Sequence, residues 1–573
     1  MKRVLKLVLL SFVLEFLALL SLAAQQRTWI TFRDHGRTTV SSTLADAARL
    51  GISERALWRR GKVLPADKLI DEYDRPVNEA YLDQIRSTGA TIVATSRWLN
   101  AVSVLATPEQ HRSIQSLSCV ESVNPVPVYS RRSIESETAP IDRSLGKQSR
   151  VGAIDYGSSF SQLNAMNVID LHSKGINGEG VIIGMCDDGY NFHKTHPAMD
   201  SIRVIAEYDF IQRDNNTSVA PGERSTQGGH GASTLSLIGG YDNGKLIGVA
   251  YGASFLLAKT EIDSIEVKME EDLYVEGLEW LERQGADIIS TSLGYIDWYS
   301  YANLDGKTAV TTKAARILAR KGILLVTAMG NEGNYRDLKT GATGTMIAPA
   351  DADSIVSVGA VSTSGFLASF SSTGPTYDSR IKPEIVAPGI ALTAASGPTG
   401  YTTAFSGTSG ATPLAAGVAA LILSAHRNWT PMQVRAQMMN TAVRFNDGTS
   451  KSASYPNNFF GWGMVDAKGA VGNLYTLKIP EHFELYNSFP NPFNSSTTLI
   501  VGAPEEGPIE IIIYNALGQR VKTLFKGVVQ KDFTEFTWYD GMDESGNRVA
   551  SGVYIAQLIA PRSIVSQKLV YIK

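Results

Sequence analysis

The sequence predicts an α/β fold in which a parallel sheet carries helices on both faces, preceded by a small α+β domain and followed by a β-sandwich. With 573 residues, the chain exceeds what one hydrophobic core usually organises, which favours several domains. In its middle part, apolar strands alternate with amphipathic helices, the pattern of a parallel sheet. Its last part has short alternating strands separated by turn clusters, which is typical of a sandwich.

The composition is that of a globular protein, with 43% hydrophobic and 19% charged residues, and it argues against disorder, coiled coil and collagen. The net charge is -3 and no long basic run is present, so nucleic acid is excluded as the expected partner. Cys119 and Cys186 are the only two cysteines. We therefore expect no disulfide framework, and two small buried side chains instead.

The N-terminus has the features of an export signal. A basic start leads into the apolar stretch 7–22, which Glu15 interrupts, and small residues follow up to Ala24. This pattern predicts a signal peptide of residues 1–23, cut after Ala23 or Ala24. A membrane anchor is the alternative, but a spanning helix would bury the acid at a cost of about 3 kcal/mol. We expect a secreted or surface-attached protein.

Residues 24–148 are predicted to form the small α+β domain. Its clearest helix starts at Thr107, the N-cap, with Pro108 in the first turn and Gln110 placed to close a capping box. Strand-like runs surround it at 28–32, 91–94 and 101–106. A polar stretch around Arg131 and Arg132 follows, and it predicts a linker open to proteolysis.

Residues 149–476 are predicted to form the parallel α/β domain, and residues 477–573 the β-sandwich. A second capped helix is expected to begin at Thr430, with Pro431 in its first turn and Gln433 closing the box. The expected strands and helices of the α/β domain are strands 181–186, 288–292, 323–327 and 355–361 and helices 268–284 and 307–321. The expected sandwich strands include 510–515, 534–538 and 552–558.

Three segments of the α/β domain place chemically useful side chains next to glycine. Asp187 stands in Cys-Asp-Asp-Gly, His230 in Gly-His-Gly-Ala and Ser409 in Gly-Thr-Ser-Gly-Ala-Thr-Pro. A serine hydroxyl becomes a nucleophile when a histidine removes its proton, and a buried carboxylate holds that histidine in the correct tautomer. Each segment alone is equally compatible with an ordinary loop residue, so the combination carries the prediction.

Together, in the order Asp, His, Ser, these segments resemble the subtilisin-like serine peptidases. Collinear stretches between them add to the resemblance: 248–253, 286–294, 328–333 and 382–389. The resemblance implies a subtilisin-like fold and a serine endopeptidase that forms an acyl-enzyme intermediate. A non-catalytic surface protein built on a peptidase scaffold is the rival interpretation.

The resemblance also implies roles for further residues. Asn331 would donate to the oxyanion from its side-chain amide, and the backbone N–H of Ser409, at a helix N-terminus, would be the second donor. Ser292, Leu293 and Gly294 would pair with an extended polypeptide substrate as an added strand. The chemistry requires no cofactor and no metal ligand is expected at the site. Calcium is frequent in the family, but no loop has a ligand spacing that locates a structural calcium site.

Asp188 departs from the family pattern, which usually has a small hydroxyl residue there. We expect it to point away from Asp187 and to be a turn or solvated residue. If it faced His230 instead, the two carboxylates would titrate as a coupled pair.

The N-terminal domain resembles a subtilisin-family propeptide in the stretch 98–104 and the capped helix after it. Such a propeptide inhibits the enzyme and assists its folding, so the protein would be a zymogen. An independent binding module is the alternative.

The C-terminal domain resembles the Ig-like sorting domains of exported proteins from Bacteroidetes-type bacteria in the stretches 488–494, 514–519 and 551–554. This implies an outer-membrane secretion machinery as partner. A carbohydrate-binding module is the alternative for this domain.

Overall fold

The structure is a computed structural model, and it describes residues 26–36, 44–125, 150–151, 154–263, 269–333, 344–445, 455–472, 482–489, 493, 496–539 and 541–571. The chain forms two compact units, residues 1–472 and 473–573. The predicted signal peptide and the linker around Arg131 and Arg132 lie outside the described residues. The domain boundaries 23/24, 148/149 and 476/477 remain predictions.

The N-terminal module, residues 26–125, is an antiparallel sheet with helices, as the sequence predicted. Its strand order is β2-β3-β1-β4. The predicted capping box is present, since Gln110 N donates to Thr107 Oγ1 at 3.3 Å and Thr107 N donates to Gln110 Oε1 at 2.8 Å. The elements are β1 (Gln26–Phe32), α1 (Leu44–Arg49), α2 (Glu54–Arg60), α3 (Glu79–Ser87), β2 (Thr91–Ser96), β3 (Ala101–Ala106), α4 (Pro108–Gln115) and β4 (Val120–Pro125).

The centre of the first unit is a seven-stranded sheet of order β15-β14-β13-β12-β7-β11-β8, in which every neighbouring pair is parallel. Its strands are nearly all apolar and buried, as expected for a sheet covered on both faces. The strands from 150 to 405 are β5 (Arg150–Val151), β6 (Ile154–Asp155), β7 (Ile182–Asp187), β8 (Arg203–Asp209), β9 (Tyr241–Asp242), β10 (Leu246–Ile247), β11 (Ser254–Lys259), β12 (Ile288–Thr291), β13 (Leu324–Ala328), β14 (Val356–Val361), β15 (Ile385–Pro388), β16 (Leu392–Ser396) and β17 (Gly400–Phe405).

Helices cover this sheet, and the predicted capping box at Thr430 is present at the start of one of them. They are α5 (Phe160–Asn164), α6 (Val168–His172), α7 (Gly229–Gly239), α8 (Met269–Gln284), α9 (Val310–Arg320), α10 (Thr408–Ala425), α11 (Pro431–Asn440) and α12 (Ala467–Val471). By length and composition α10 could cross a membrane, but 83% of its 18 residues are buried inside the protein. It is therefore the core helix of the domain.

The N-terminal module packs on α8 through buried charges. Arg60 bonds both Asp74 of its own module, at 2.8 Å, and Glu282 of α8, at 2.6 Å, and all three side chains are at most 2% exposed. Arg59 also pairs with Glu282. Closer to the sheet of the module, Glu279 accepts hydrogen bonds from Ser96 Oγ and from the backbone N–H of Trp98. Buried charges of this kind are satisfied only when both partners are in place.

The second unit is a sandwich of two antiparallel sheets, of order β18-β19-β22 and β21-β20-β23-β24. Side chains from both sheets form its core, with Leu499 and Trp538 from one sheet against Ile513 and Leu569 from the other. The strands are β18 (Glu484–Phe489), β19 (Ser496–Ala503), β20 (Gly507–Asn515), β21 (Arg520–Val529), β22 (Asp532–Tyr539), β23 (Gly552–Ala560) and β24 (Ser563–Tyr571).

Candidate active site

The three residues singled out from the sequence all lie at the ends of core elements. Asp187 is the last residue of β7, a middle strand of the parallel sheet. His230 is the second residue of α7, and Ser409 is the second residue of α10. In open α/β sheets, sites form where the carboxyl ends of strands meet the loops and helix starts that follow them.

Asp187 and His230 are in direct contact. His230 Nδ1 lies 2.6 Å from Asp187 Oδ1, and the Asp187 side chain is 1% exposed whereas that of His230 is 35% exposed. Gly231 makes this approach sterically feasible, because a Cβ atom there would lie 2.1 Å from Gly189 O and 2.9 Å from Asp187 Cβ. The Gly-His-Gly sequence thus lets the helix start sit directly on the end of the strand.

The second oxygen of the carboxylate is also bonded. Thr234, one turn after His230 on α7, donates from Oγ1 to Asp187 Oδ2 at 3.0 Å. Burial lowers the pKa of His230, but the Asp187 carboxylate and its hydrogen bond raise it more, to about 9. The carboxylate is held in a fixed orientation and favours a charged imidazole.

Ser409 contacts the strand extension that was predicted to bind substrate. Its Oγ donates to the carbonyl oxygen of Ser292 at 3.4 Å, and Ser292 Oγ donates to the carbonyl oxygen of Ser409 at 2.9 Å. The side chain of Ser409 therefore sits at the junction of α10 with the segment that leaves β12.

Asn331 lies next to the start of α10, with its amide oriented by Thr408. The N–H and the hydroxyl of Thr408 donate to Asn331 Oδ1 at 2.9 and 3.0 Å, which identifies that atom as the oxygen. A Cβ atom built on Gly407 would lie 3.5 Å from both Asn331 Nδ2 and the backbone N of Ser409. The absent side chain of Gly407 thus leaves a space that two nitrogen donors border.

The segment Ser292 to Gly294 continues β12 beyond the sheet. Leu293 is 4% exposed and belongs to the hydrophobic core, whereas Ser292 and Gly294 are half-buried. Within the described residues, neither Leu293 nor Gly294 uses its backbone N–H or C=O in a main-chain hydrogen bond. At Tyr295 the chain pairs with Ala348. Leu293 and Gly294 consequently have main-chain groups that another strand can use.

Asp188 is placed differently from the expectation that it is a turn or solvated residue. It is 4% exposed, and its carboxylate accepts hydrogen bonds from the backbone N–H groups of Gly228 and Gly231. The prediction of a solvated side chain was wrong. The start of α7 has backbone N–H groups without partners in its own helix, and the second aspartate of Asp-Asp-Gly is close enough to bind two of them.

A cavity of about 490 Å³ opens beside His230. Phe192, Met199 and Phe405 form apolar parts of its wall, and the ring centroids of Phe405 and His230 are 5.7 Å apart. Three acidic residues, Asp188, Glu261 and Asp263, also line the cavity. The space next to the imidazole is large enough for a side chain of a bound molecule.

Asp187, Asp188 and His230 have potential metal-ligand atoms within 4.8 Å of one another. The hydrogen bonds already described engage these atoms: Asp187 with His230 and Thr234, and Asp188 with two backbone N–H groups. A cation here would have to displace those bonds, so the donor set fits a hydrogen-bonded acid–base site better than a metal site.

Sequence reasoning missed two residues of this arrangement. Thr234 follows His230 by four positions, a spacing that puts both on one helix face, so helical periodicity could have identified it. Thr408 precedes Ser409 and orients Asn331, but nothing in the local sequence marks that contact between residues 77 positions apart.

The chain matches models of known families over three stretches. Residues 178–463 match the subtilase family, residues 27–140 match a peptidase S8 propeptide domain of Bacteroidota, and residues 499–560 match an FlgD Ig-like domain. In chain order, the three matches fall on the N-terminal module, the parallel α/β domain and the β-sandwich.

Similar proteins include several subtilisins. Subtilisin of Bacillus pumilus is 32% identical over 319 residues, covering 56% of this chain and 99% of the relative. Subtilisin E of Bacillus subtilis is 31% identical over 319 residues, covering 56% of this chain and 71% of the relative. Among solved structures, that of the prenylagaramide maturation protease aligns with 53% of this chain and 96% of its own chain, at 24% identity and a TM-score of 0.42.

The length and identity of the match to the subtilisins support both the fold and the chemistry expected from the sequence. The chain belongs to the subtilase family and is a serine-type endopeptidase with an N-terminal propeptide domain and a C-terminal Ig-like domain.

Proposed function

We propose that Asp187, His230 and Ser409 are the catalytic triad of this endopeptidase. The observation that carries the proposal is the 2.6 Å contact of Asp187 with His230 Nδ1. It requires the proton on Nδ1 when the imidazole is neutral, which leaves Nε2 as the base that removes the proton of Ser409. The serine oxygen then attacks the carbonyl carbon of the peptide bond, and the histidine returns the proton to the leaving amine.

The tetrahedral intermediate places a negative charge on the former carbonyl oxygen. Asn331 Nδ2 and the backbone N–H of Ser409 are the donors for this oxyanion, because both nitrogen atoms border the space that Gly407 leaves open. Donors fixed before the reaction stabilise charge without having to reorganise. The position of Ser409 in the first turn of α10 adds the positive end of the helix dipole.

The substrates are polypeptides in extended conformation. The main-chain groups of Leu293 and Gly294, which have no main-chain partner among the described residues, support strand addition beside Ser409. Such pairing binds the backbone of many sequences alike. The cavity beside His230 would accept one substrate side chain close to the cleaved bond.

The N-terminal module acts as an inhibitor of its own enzyme and is removed during maturation. Its buried ion pairs with Glu282 and its contacts with Glu279 support a tight, specific association with α8. Cleavage within 128–152 would separate module from enzyme, and the same active site can make this cut once it is assembled.

We also propose that the protein is exported to the cell exterior. Residues 1–23 would direct the chain through the inner membrane, and the C-terminal Ig-like domain would address it to an outer-membrane secretion machinery. The match to a Bacteroidota propeptide domain supports this route. Fractionation of cells that express the full chain or a version lacking residues 477–573 tests it, because only the full chain should reach the surface or the medium.

Covalent labelling separates an active enzyme from a non-catalytic surface protein. A fluorophosphonate probe should modify mature protein at Ser409, as mapped by mass spectrometry of peptides, because the reagent requires an activated serine. Ser406, which lies three residues before it and is also half-buried, serves as the internal control. Equal labelling of both serines, or of neither, would contradict the proposed triad.

A further inference from the structure

The start of the histidine helix is capped by a side chain from another element. The N-cap of α7 is Gly228, with a φ of 77°, and it has no side chain to bond the free N–H groups. The carboxylate of Asp188 caps the helix instead. Its Oδ1 accepts a hydrogen bond from Gly231 N at 2.8 Å, and its Oδ2 accepts one from Gly228 N at 3.1 Å. These two N–H groups flank His230 along the chain, so the carboxylate fixes the backbone that carries the imidazole.

The same carboxylate lies near the imidazole. Ligand atoms of Asp187, Asp188 and His230 all lie within 4.8 Å of one another, so two acids face one base. Lys259 is fully buried nearby, where a side chain on Gly189 would touch it, but its ammonium pairs with Asp209 and Glu223. The charged groups that face the imidazole or share its cavity are therefore Asp187, Asp188, Glu261 and Asp263.

We propose that Asp188 is a positioning residue for His230: its carboxylate holds the first turn of α7 against β7, and its negative charge stabilises the protonated imidazole. The proposal rests on the proposed role of His230 as the base. This role accounts for the second acid of Asp-Asp-Gly. A hydroxyl residue at the same position could cap the helix, but it would leave only one carboxylate near the imidazole.

The pKa shifts of Asp188 and His230 have the directions that this role requires. Burial and the charge of Asp187 raise the pKa of Asp188 to about 7, so ionised Asp188 is present mainly from neutral pH upward. Burial lowers the pKa of His230, whereas Asp187 and then Asp188 raise it. Since only the neutral imidazole accepts the serine proton, removal of the Asp188 charge should let the base work at lower pH.

The direct test is an NMR titration of His230 in the full chain carrying Ser409→Ala, which prevents self-cleavage. Asp188→Asn removes the charge and keeps the size, and Asp188→Ser introduces the hydroxyl typical of the family. We expect both to lower the titration midpoint of His230 by about 1 pH unit. Asp170→Asn, which removes an exposed acid paired with Lys468, should leave the midpoint unchanged.

A second readout is the pH dependence of kcat/KM for the same Asp188 variants with Ser409 intact. The acid limb should move to lower pH together with the NMR midpoint. The kcat at its plateau should fall, because the single amide or hydroxyl oxygen of the variants holds the helix start less firmly than the two carboxylate oxygens of Asp188. A midpoint that stays at the wild-type value in folded Asp188→Ser protein would overturn the proposal, whether or not Asp188→Asn folds. Failure of the triad itself would appear separately, as activity that survives Ser409→Ala.

Discussion

Thr234 Oγ1 donates a 3.0 Å hydrogen bond to the oxygen of Asp187 that does not contact His230. The other oxygen, Asp187 Oδ1, is bonded by His230 Nδ1 and by the backbone N–H of Asp188. Both oxygens of the Asp187 carboxylate therefore have donors. A buried carboxylate whose oxygens are all bonded keeps one orientation. The threonine on the histidine helix thus determines how the acid meets the base.

Replacing Thr234 with Val should reduce kcat about 10-fold, because Asp187 loses a donor and can rotate away from His230. KM should change little, since the residue lies behind the triad. Steady-state kinetics on a peptide substrate measures both parameters. Thr311→Val is the matched control: the Thr311 side chain is buried, and its hydroxyl has no hydrogen-bond partner among the described residues. Equal losses in the two variants would mean that Thr234 contributes only through packing.

Asn331→Ala should lower kcat by about 10²- to 10³-fold with little change in KM. The reason is that its amide meets a charge that exists in the transition state and not in the bound substrate. Initial rates over a range of substrate concentrations separate the two effects. A rise in KM at unchanged kcat would place Asn331 in ground-state binding instead of the oxyanion hole.

Glu282→Gln should loosen the N-terminal module. Glu282 is 1% exposed and pairs with Arg59 and Arg60, so its neutralisation leaves buried guanidinium charge without its counter-ion. Burial raises the pKa of Glu282, but the two arginines outweigh it and bring it to about 2, so the residue is charged at neutral pH. We expect the opening free energy of the module to fall by about 3 kcal/mol.

Hydrogen exchange of the amides in β3 and α2 measures that opening, in full chain carrying Ser409→Ala. Glu79→Gln is the matched control, because Glu79 also pairs with an arginine, Arg86, but both side chains are about half exposed or more. Exchange in the control should equal that of the parent protein. If Glu282→Gln exchanges no faster than the control, the buried pairs do not hold the module.

Maturation should depend on the active site of the protein itself. Made in a host without other exported peptidases, the wild type should lose the N-terminal module by a cut within 128–152, whereas Ser409→Ala should retain it. Intact-mass spectrometry gives the termini of both products. If both proteins keep the module, or if the mutant loses it, residues 24–148 are not a self-cleaved propeptide.

Local sequence signals predicted part of the elements of the fold. Capping boxes at Thr107 and Thr430 and the alternation of apolar runs with helices are properties of neighbouring residues, so they could be read directly. The order of the sheet strands was not predicted, because the pairing of strands that are distant in sequence leaves no signal in the local pattern.

The contacts that orient the site required the structure. Asp188 reaches Gly228 and Gly231 across 40 and 43 positions of sequence, and Thr408 reaches Asn331 across 77. An acid after a strand has the same local sequence whether it is solvated or caps a distant helix. Tertiary packing determines whether the acid is buried and which groups it binds, and these two properties decide between the roles.

The turnover of Ser409→Ala shows whether Ser409 is the nucleophile. The change removes one oxygen from a half-buried side chain, so the fold should persist. Hydrolysis of a peptide substrate by mature wild type and by folded mutant, freed of the N-terminal module by an added protease site, gives the comparison. If Ser409 is the nucleophile, we expect a loss of about 10⁶-fold in kcat. Activity of the mutant within 10-fold of the wild type, or about 1.4 kcal/mol in barrier, would contradict it.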